Sequence, residues 1–238
     1  MRKSKVKYAS AISVVIMFTP IIAMTMLLVS GCEKKDSNVA KVGVNLSLTG
    51  SLAYWGTQLK QGMEIAVAES NENKQAEKLQ VIFEDNQGQA KNAISIFQKF
   101  ASVEKVSAIV TAHTYIAQPQ RPLAQQYQIP LLATIVSAVG FGKENSWSFL
   151  DSPTHDQITP PVADYVARDL QAKTAVILVV NDDYGTDGAS FFKQEFERDG
   201  GKVTGQETFG NTDKEMRSQL TAIQTVANPT GTVLGDPS

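Results

Sequence analysis

Thr114 and Ser137 are hydroxyl side chains that each come just after a short apolar run, Val106–Thr111 and Ile129–Ala133. Together with nearby backbone N–H groups they could place several donors on one ligand carboxylate. Helix capping is the other reading for Thr114. Ile135 lies in the same stretch as Ser137 and is counted with it as a candidate binding residue. Trp55 and Tyr184 each precede a glycine; set against each other, two aromatic walls bury ligand area and keep a polar handle, although packing beside a turn would use the same residues. His113 adjoins Thr114 and joins the candidates, while His155 falls in a turn. An isolated histidine is more often structural than a ligand or base, and these two are not spaced as a metal pair on one helix. Asp182, Asp183 and Asp187 lack calcium-loop spacing and read as turn and cap residues. The sequence has no nucleophile elbow, P-loop or dinucleotide fingerprint. The pattern is one of binding rather than catalysis, with no cofactor implied.

The remaining chemistry-bearing residue is Cys32, the sole cysteine, so no intramolecular disulfide can form. Arg2, Lys3, Lys5 and Lys7 precede an apolar run from Ala11 to Val29, which ends at Val29-Ser30-Gly31-Cys32. A basic start, an apolar stretch and small residues at the cut describe an export signal. A plain transmembrane anchor is the alternative, favoured by the length of the run and opposed by Pro20 within it. Either reading exports everything after Cys32.

Composition bounds the rest. The 238 residues are 42% hydrophobic and 19% charged, which suits an ordinary globular protein of one or two domains. Without residues 1–31, 18 basic and 24 acidic residues remain, a net charge near −6. No concentrated basic face is available for nucleic acid.

The elements that must position the candidates alternate. Strands are expected at Lys41–Leu46, Leu79–Glu84, Val106–Thr111, Ile129–Ala133 and Trp147–Leu150. Helices fall between them: Trp55–Ser70 with Leu59, Met63, Ala66 and Val67 inward, Gln89–Glu104, and Ala117–Tyr127 with Pro119 in its first turn. After a helix over Gln157–Leu170 the pattern restarts. Thr174–Val180 is a continuous apolar run, as for a strand buried on both faces. It is followed by a helix over Asp187–Asp199, a strand over Val203–Phe209, a helix over Lys214–Ala227 with Met216, Leu220, Ile223 and Ala227 inward, and a strand starting at Gly231–Leu234. Alternating β and α segments argue for an α/β fold of doubly wound parallel sheets, which bind ligands beyond the carboxyl ends of their strands.

Four local patterns, in order, resemble the leucine/isoleucine/valine-binding family, the type I periplasmic binding proteins. They are Val44-Asn45-Leu46-Ser47-Leu48-Thr49-Gly50, Tyr54-Trp55-Gly56 through Gly62, Glu84-Asp85-Asn86-Gln87-Gly88 before Lys91-Asn92-Ala93, and Asn181-Asp182-Asp183-Tyr184-Gly185. Val29-Ser30-Gly31-Cys32 likewise resembles the lipobox of bacterial lipoproteins, which implies cleavage before Cys32 and its lipidation. Several acyl chains would hold the protein on a membrane.

The family resemblance implies two doubly wound lobes, a small polar ligand such as an amino acid or amide held between them, and delivery to a membrane permease driven by an ATPase. The family's carboxylate contacts map onto Thr114 and Ser137. The expected organisation is a signal over residues 1–31, a tether over 32–39, lobe one over 40–160, and the crossover with an incomplete second lobe over 161–238. On this reading the protein works outside the cytoplasm as the binding component of an importer. The alternatives are a lipoprotein of the same fold that senses a ligand or activates a cell-wall enzyme, and an exported enzyme.

Overall fold

The computed structural model describes residues 39–73, 77–143 and 145–227. The expected signal, the tether with Cys32 and the expected strand at Gly231–Leu234 lie outside these residues.

Lobe one alternates strand and helix. β1 (Val39–Leu46) leads to α1 (Ala53–Glu72), β2 (Lys78–Asp85), α2 (Ala90–Lys99) and a π-helical turn over Phe100–Glu104. β3 (Ala108–Ala112) is followed by α3 (Thr114–Ala117), a 3₁₀ turn (Gln118–Gln120) and α4 (Arg121–Tyr127), then β4 (Leu131–Thr134) and β5 (Ser148–Leu150). The expected single helix over Ala117–Tyr127 therefore starts at Thr114 and is broken. Pro119 and Pro122 lack the N–H that a continuous α-helix would use. Pro119 sits in the 3₁₀ turn rather than in a first α-turn.

The sheet order is β2-β1-β3-β4-β5, all pairs parallel. The order reverses at the β1/β3 boundary, and in an open sheet of this kind the crevice at that reversal is where a ligand binds.

Strand alternation divides the core between two faces. Ile109, Leu131 and Ala133 pack with Phe97, Phe100, Ala117, Ala124 and Phe141 on the side of α2 and α4. A glycine is required at Gly43, because a β-carbon there would stand 2.5 Å from the Phe100 ring. Val44, Leu46 and Ala112 face the other way, with Leu59 and Met63 of α1. That second face is only partly covered. Leu132 and Phe149 are exposed, and Leu132 with Leu59, Met63, Ala66, Val67, Val42, Val44 and Val110 lines an open apolar groove of about 610 Å³. Of the expected inward residues of α1, Ala66 is itself exposed.

A buried polar ladder ties the strand ends to the helices. Asn45 Nδ2 donates to the Ala93 carbonyl (2.9 Å) and to Gln120 Oε1 (3.1 Å), and Asn45 Oδ1 accepts from Asn86 Nδ2 (3.0 Å). Gln120 Nε2 in turn donates to Thr111 Oγ1 at 2.9 Å. Each of these groups finds a partner, which offsets the cost of burying it and links the end of β1 to β3 through Gln120.

The crossover is α5 (His155–Asp164) with a π-helical turn over Tyr165–Asp169. Thr154 caps it in a capping box with Gln157. Lobe two follows: β6 (Thr174–Val180), α6 (Asp183–Arg198), β7 (Lys202–Phe209) and α7 (Arg217–Ala227). Its two strands pair in parallel as a separate, smaller sheet among the described residues. The expectation that Thr174–Val180 is buried on both faces is not met, because only Ile177 is buried. Among the described residues β6 pairs with β7 alone, and most of its residues are half-buried. α6 starts at Asp183 rather than Asp187, because Asp182 caps it through its side chain. In α7, Leu220 is exposed and no residue is fully buried. Leu220 and Ala227 are thus not inward.

Candidate functional site

Both lobes place an aromatic residue at the cleft by the same local device. After β1 the chain turns into α1, and Gly56 lies so close to the strand end that a β-carbon on it would stand 2.0 Å from the Ser47 carbonyl oxygen. After β6, Gly185 stands in the same relation to the Val180 carbonyl, also at 2.0 Å. Only glycine permits this approach. The residue before each glycine, Trp55 or Tyr184, then sits at the carboxyl end of its sheet. Trp55 is 51% exposed and Tyr184 45% exposed. Aromatics that serve packing alone are normally covered, so this exposure favours a binding surface.

The turns after β3 and β4 supply the floor. His113 (φ 67°) and Ile135 (φ 53°) both occupy the left-handed region, which a β-branched residue such as isoleucine rarely enters. Strained backbone of this kind concentrates at binding and catalytic sites. Just beyond each strained residue, Thr114 Oγ1 accepts the backbone N–H of Ser137 at 3.3 Å, which joins the two turns. Ser137 is almost fully buried, and its carbonyl accepts the backbone N–H of His155 at 2.9 Å. Thr114 is the first residue of α3, and the cap position belongs to His113. Capping therefore does not account for the Thr114 hydroxyl.

Lobe two closes the other side. Asp182 caps α6 by accepting the Gly185 N–H at 3.0 Å, and its second oxygen accepts Asn211 Nδ2 at 3.1 Å. It is the turn-and-cap residue expected from sequence, but it also lines the cleft together with Asn211 and Val180. Burial pushes the His113 imidazole below its ordinary pKa, and the nearby Asp182 charge opposes this only in part. Burial and the same charge push the Tyr115 phenol up. His113 is therefore a neutral imidazole facing a carboxylate at neutral pH.

The structure brings all six sequence-derived candidates together. Trp55, His113, Thr114, Ile135, Ser137 and Tyr184 line one cleft of about 300 Å³. Leu52, Tyr115, Asp182 and Asn211 also line it. Sequence reasoning did not single out Leu52, Tyr115 or Asn211 and gave Asp182 only a structural role. For Asp182, its place next to the Tyr184-Gly185 pair was the available signal. Asn211 lies beyond β7 and reaches the cleft only through the parallel pairing of β6 with β7. Among the described residues no cluster of three or more metal-ligating side chains exists. The cleft offers hydroxyl and amide donors, one carboxylate, a neutral imidazole and the aromatic rings of Trp55, Tyr115 and Tyr184. That set can hold and orient a small polar molecule.

A family model for periplasmic binding proteins matches residues 39–236. The Leu/Ile/Val-binding protein homolog 2 of Brucella abortus is 24% identical over 188 residues, which are 77% of this chain and 50% of that protein. A leucine-binding protein, LivK, of Thermotoga maritima superposes with a TM-score of 0.74 at 20% identity, covering 79% of this chain and 54% of that one. LivJ of Streptococcus pneumoniae, solved in complex with isoleucine, gives 0.71 at 25% identity over 78% of this chain and 54% of its own. A solute-binding protein of Rhodopseudomonas palustris in complex with benzoate gives 0.74 at 22% identity, over 79% and 53%. The chain thus spans about half the length of the relatives it matches. Its fold, strand order and matched residues make it a member of the periplasmic binding protein family.

Proposed function

We propose that this protein is the extracytoplasmic solute-binding component of an ATP-driven importer, and that its solute is an amino acid or a related small polar molecule. The observation that carries this reading is the cleft itself. Hydroxyl groups of Thr114 and Ser137 stand on lobe one, and the Tyr184 ring and the Asp182 carboxylate approach from lobe two. A ligand seated between the lobes would draw them together and exclude water, which strengthens each hydrogen bond.

The charge pattern narrows the solute. Among the described residues the cleft lining holds the Asp182 carboxylate and no lysine or arginine. That favours a molecule with an ammonium or amide donor over a bare aromatic carboxylate of the benzoate kind. The partners on this reading are a membrane permease and its ATPase. Val29-Ser30-Gly31-Cys32 supports a lipid anchor at Cys32. Mass spectrometry of membrane-extracted protein is expected to find an acylated Cys32 as the first residue, and an intact Met1 would refute the anchor.

Thermal shift with branched-chain amino acids, their amides and benzoate tests the transport reading. A ligand at a hundred times its Kd raises stability by about 2.7 kcal/mol. The amino-acid set is expected to raise Tm and benzoate to leave it unchanged. If no small polar molecule raises Tm, the solute-binding reading fails.

A further inference from the structure

His155 is the best-buried titratable side chain next to the cleft, 4% exposed, yet it does not line it. It opens α5, the helix that carries the chain from lobe one to lobe two. Its backbone N–H donates to the carbonyl of Ser137, a wall of lobe one, at 2.9 Å. Its ring lies 4.8 Å, centroid to centroid, from the ring of Tyr184, a wall of lobe two, at 53°. Gly188 makes room for it, since a β-carbon there would stand 3.0 Å from His155 Cε1. A single residue thus touches both walls from behind, at the joint between the lobes.

We propose that His155 is the positioning residue of the cleft: its backbone holds Ser137 and its ring holds Tyr184, so that it sets the spacing between the two walls that a solute must match. This rests on the reading of the cleft as the solute site. No ligand contact is assigned to His155.

The groups around the ring show why its charge would matter. Nδ1 is 3.1 Å from Thr159 Oγ1 on its own helix, while Nε2 is buried without a hydrogen-bond partner. From α6 the ring is faced by the Tyr184 ring and carbonyl and by the Asp187 carboxylate, and Ser137 adjoins it from the turn after β4. Burial lowers its pKa, against the opposing influence of Asp187 and the Tyr184 carbonyl. Burial therefore favours the neutral ring, and protonation works against the buried seat that holds the ring behind Tyr184.

The test uses the whole chain and two kinds of readout. In NMR spectra of protein labelled on histidine and tyrosine rings, the Tyr184 signals are expected to move with pH in step with the His155 Cε1 titration. His155→Phe keeps a stacking ring without a titrating nitrogen. It should hold the Tyr184 signals near their neutral-pH positions and abolish that pH response, whereas His155→Ala should displace them. For binding, L-isoleucine and benzoate serve as probes. His155→Ala is expected to weaken whichever probe binds by about tenfold at neutral pH, with His155→Phe restoring most of it. Tyr184 signals that ignore both the pH and the His155→Ala change would overturn the proposal. So would unaltered probe affinity in that variant. If neither probe binds the wild-type chain, the solute reading of the cleft loses support while the NMR readout still decides whether His155 positions Tyr184. Should His155→Ala fail to fold, the loss of the Tyr184 pH response in His155→Phe decides alone.

Discussion

Gly185 lies against Val180 at a distance no side chain could tolerate: a β-carbon at Gly185 would stand 2.0 Å from the Val180 carbonyl oxygen. Gly56 repeats the relation to Ser47 in lobe one. Each contact brings a helix N-terminus hard against the end of the preceding strand, and each sets the aromatic residue beside it at the cleft. Gly185→Ala must push α6 away from β6 and carry Tyr184 with it. The expected cost is about 1–3 kcal/mol of stability, read as a fall in Tm, with a change in tyrosine emission. Gly56→Ala should do the same to Trp55, read as a shift in its fluorescence. By contrast, Gly62→Ala meets nothing within 4 Å and should be neutral or slightly stabilising.

The two walls can be tested one at a time. Ser137→Ala removes a hydroxyl from the buried turn after β4 and leaves the backbone donor in place. If a ligand carboxylate accepts that hydroxyl, affinity should fall by about 1–3 kcal/mol. Tyr184→Ala removes aromatic contact from lobe two and should cost a similar amount, with little effect on lobe-one packing. Isothermal titration with the solute found by thermal shift measures both. Wild-type affinity in both variants would place the site elsewhere.

His113 gives the protein a one-sided response to acid. Its imidazole is held below the ordinary value of 6.5, chiefly by burial. Once the chain unfolds, the ring binds a proton more readily than it does in the folded state. As pH falls from 6.5 towards the lower folded value, protonation therefore pulls the equilibrium towards unfolding; above 6.5 both states are neutral and this slope vanishes. His155 is shifted in the same direction and adds to the effect. Tm should be flat from about pH 7 to 8 and decline below about pH 6.5. His113→Asn tolerates the positive φ at this position and should flatten the decline. An unchanged slope in that variant would assign the acid response to other groups.

Much of the architecture could be read from residue order. The alternation of apolar strands and amphipathic helices yields the parallel sheet, and Thr174–Val180 coincides with β6 end to end. Strand-end logic also brought Thr114, Ser137, Trp55 and Tyr184 to one cleft, because in a parallel sheet all such ends lie on one side. Three kinds of feature were not legible. The left-handed backbone at Ile135 has no signature in residue type, because isoleucine argues against it and only the surrounding packing imposes it; at His113 histidine permits that backbone without announcing it. Asp182 looks like a cap and is one, so its second role appears only when β7 brings Asn211 alongside. The apolar spacing of α7 suggested an inward face that included Leu220, but periodicity cannot tell whether anything covers that face. Here Leu220 is exposed.

The same distinction bears on the apolar groove beside β4. Leu132 and Phe149 point away from the core that Leu131 and Ala133 enter, and they stand exposed at 39% and 49%. Leu132 lines the groove with Val110, Leu59 and Met63, and Phe149 is its partner on the neighbouring strand, so the apolar surface is contiguous rather than a scatter of single side chains. A patch of this kind is sticky in water, and the short β5 beside it is an edge strand in the described sheet, which offers unpaired backbone groups to a second chain. Purified 32–238 protein is therefore expected to bind a dye that reports apolar surface and to self-associate as its concentration rises. The double variant Leu132→Lys, Phe149→Lys should suppress both. Because these side chains are already partly in water, the loss of stability should stay small, about 1 kcal/mol. Sedimentation velocity of the two proteins, with dye titration alongside, makes the comparison. A monodisperse wild-type chain that binds no dye would show that the groove is covered in solution. A large loss of Tm in the double variant would show that Leu132 and Phe149 are buried there, contrary to the exposure described.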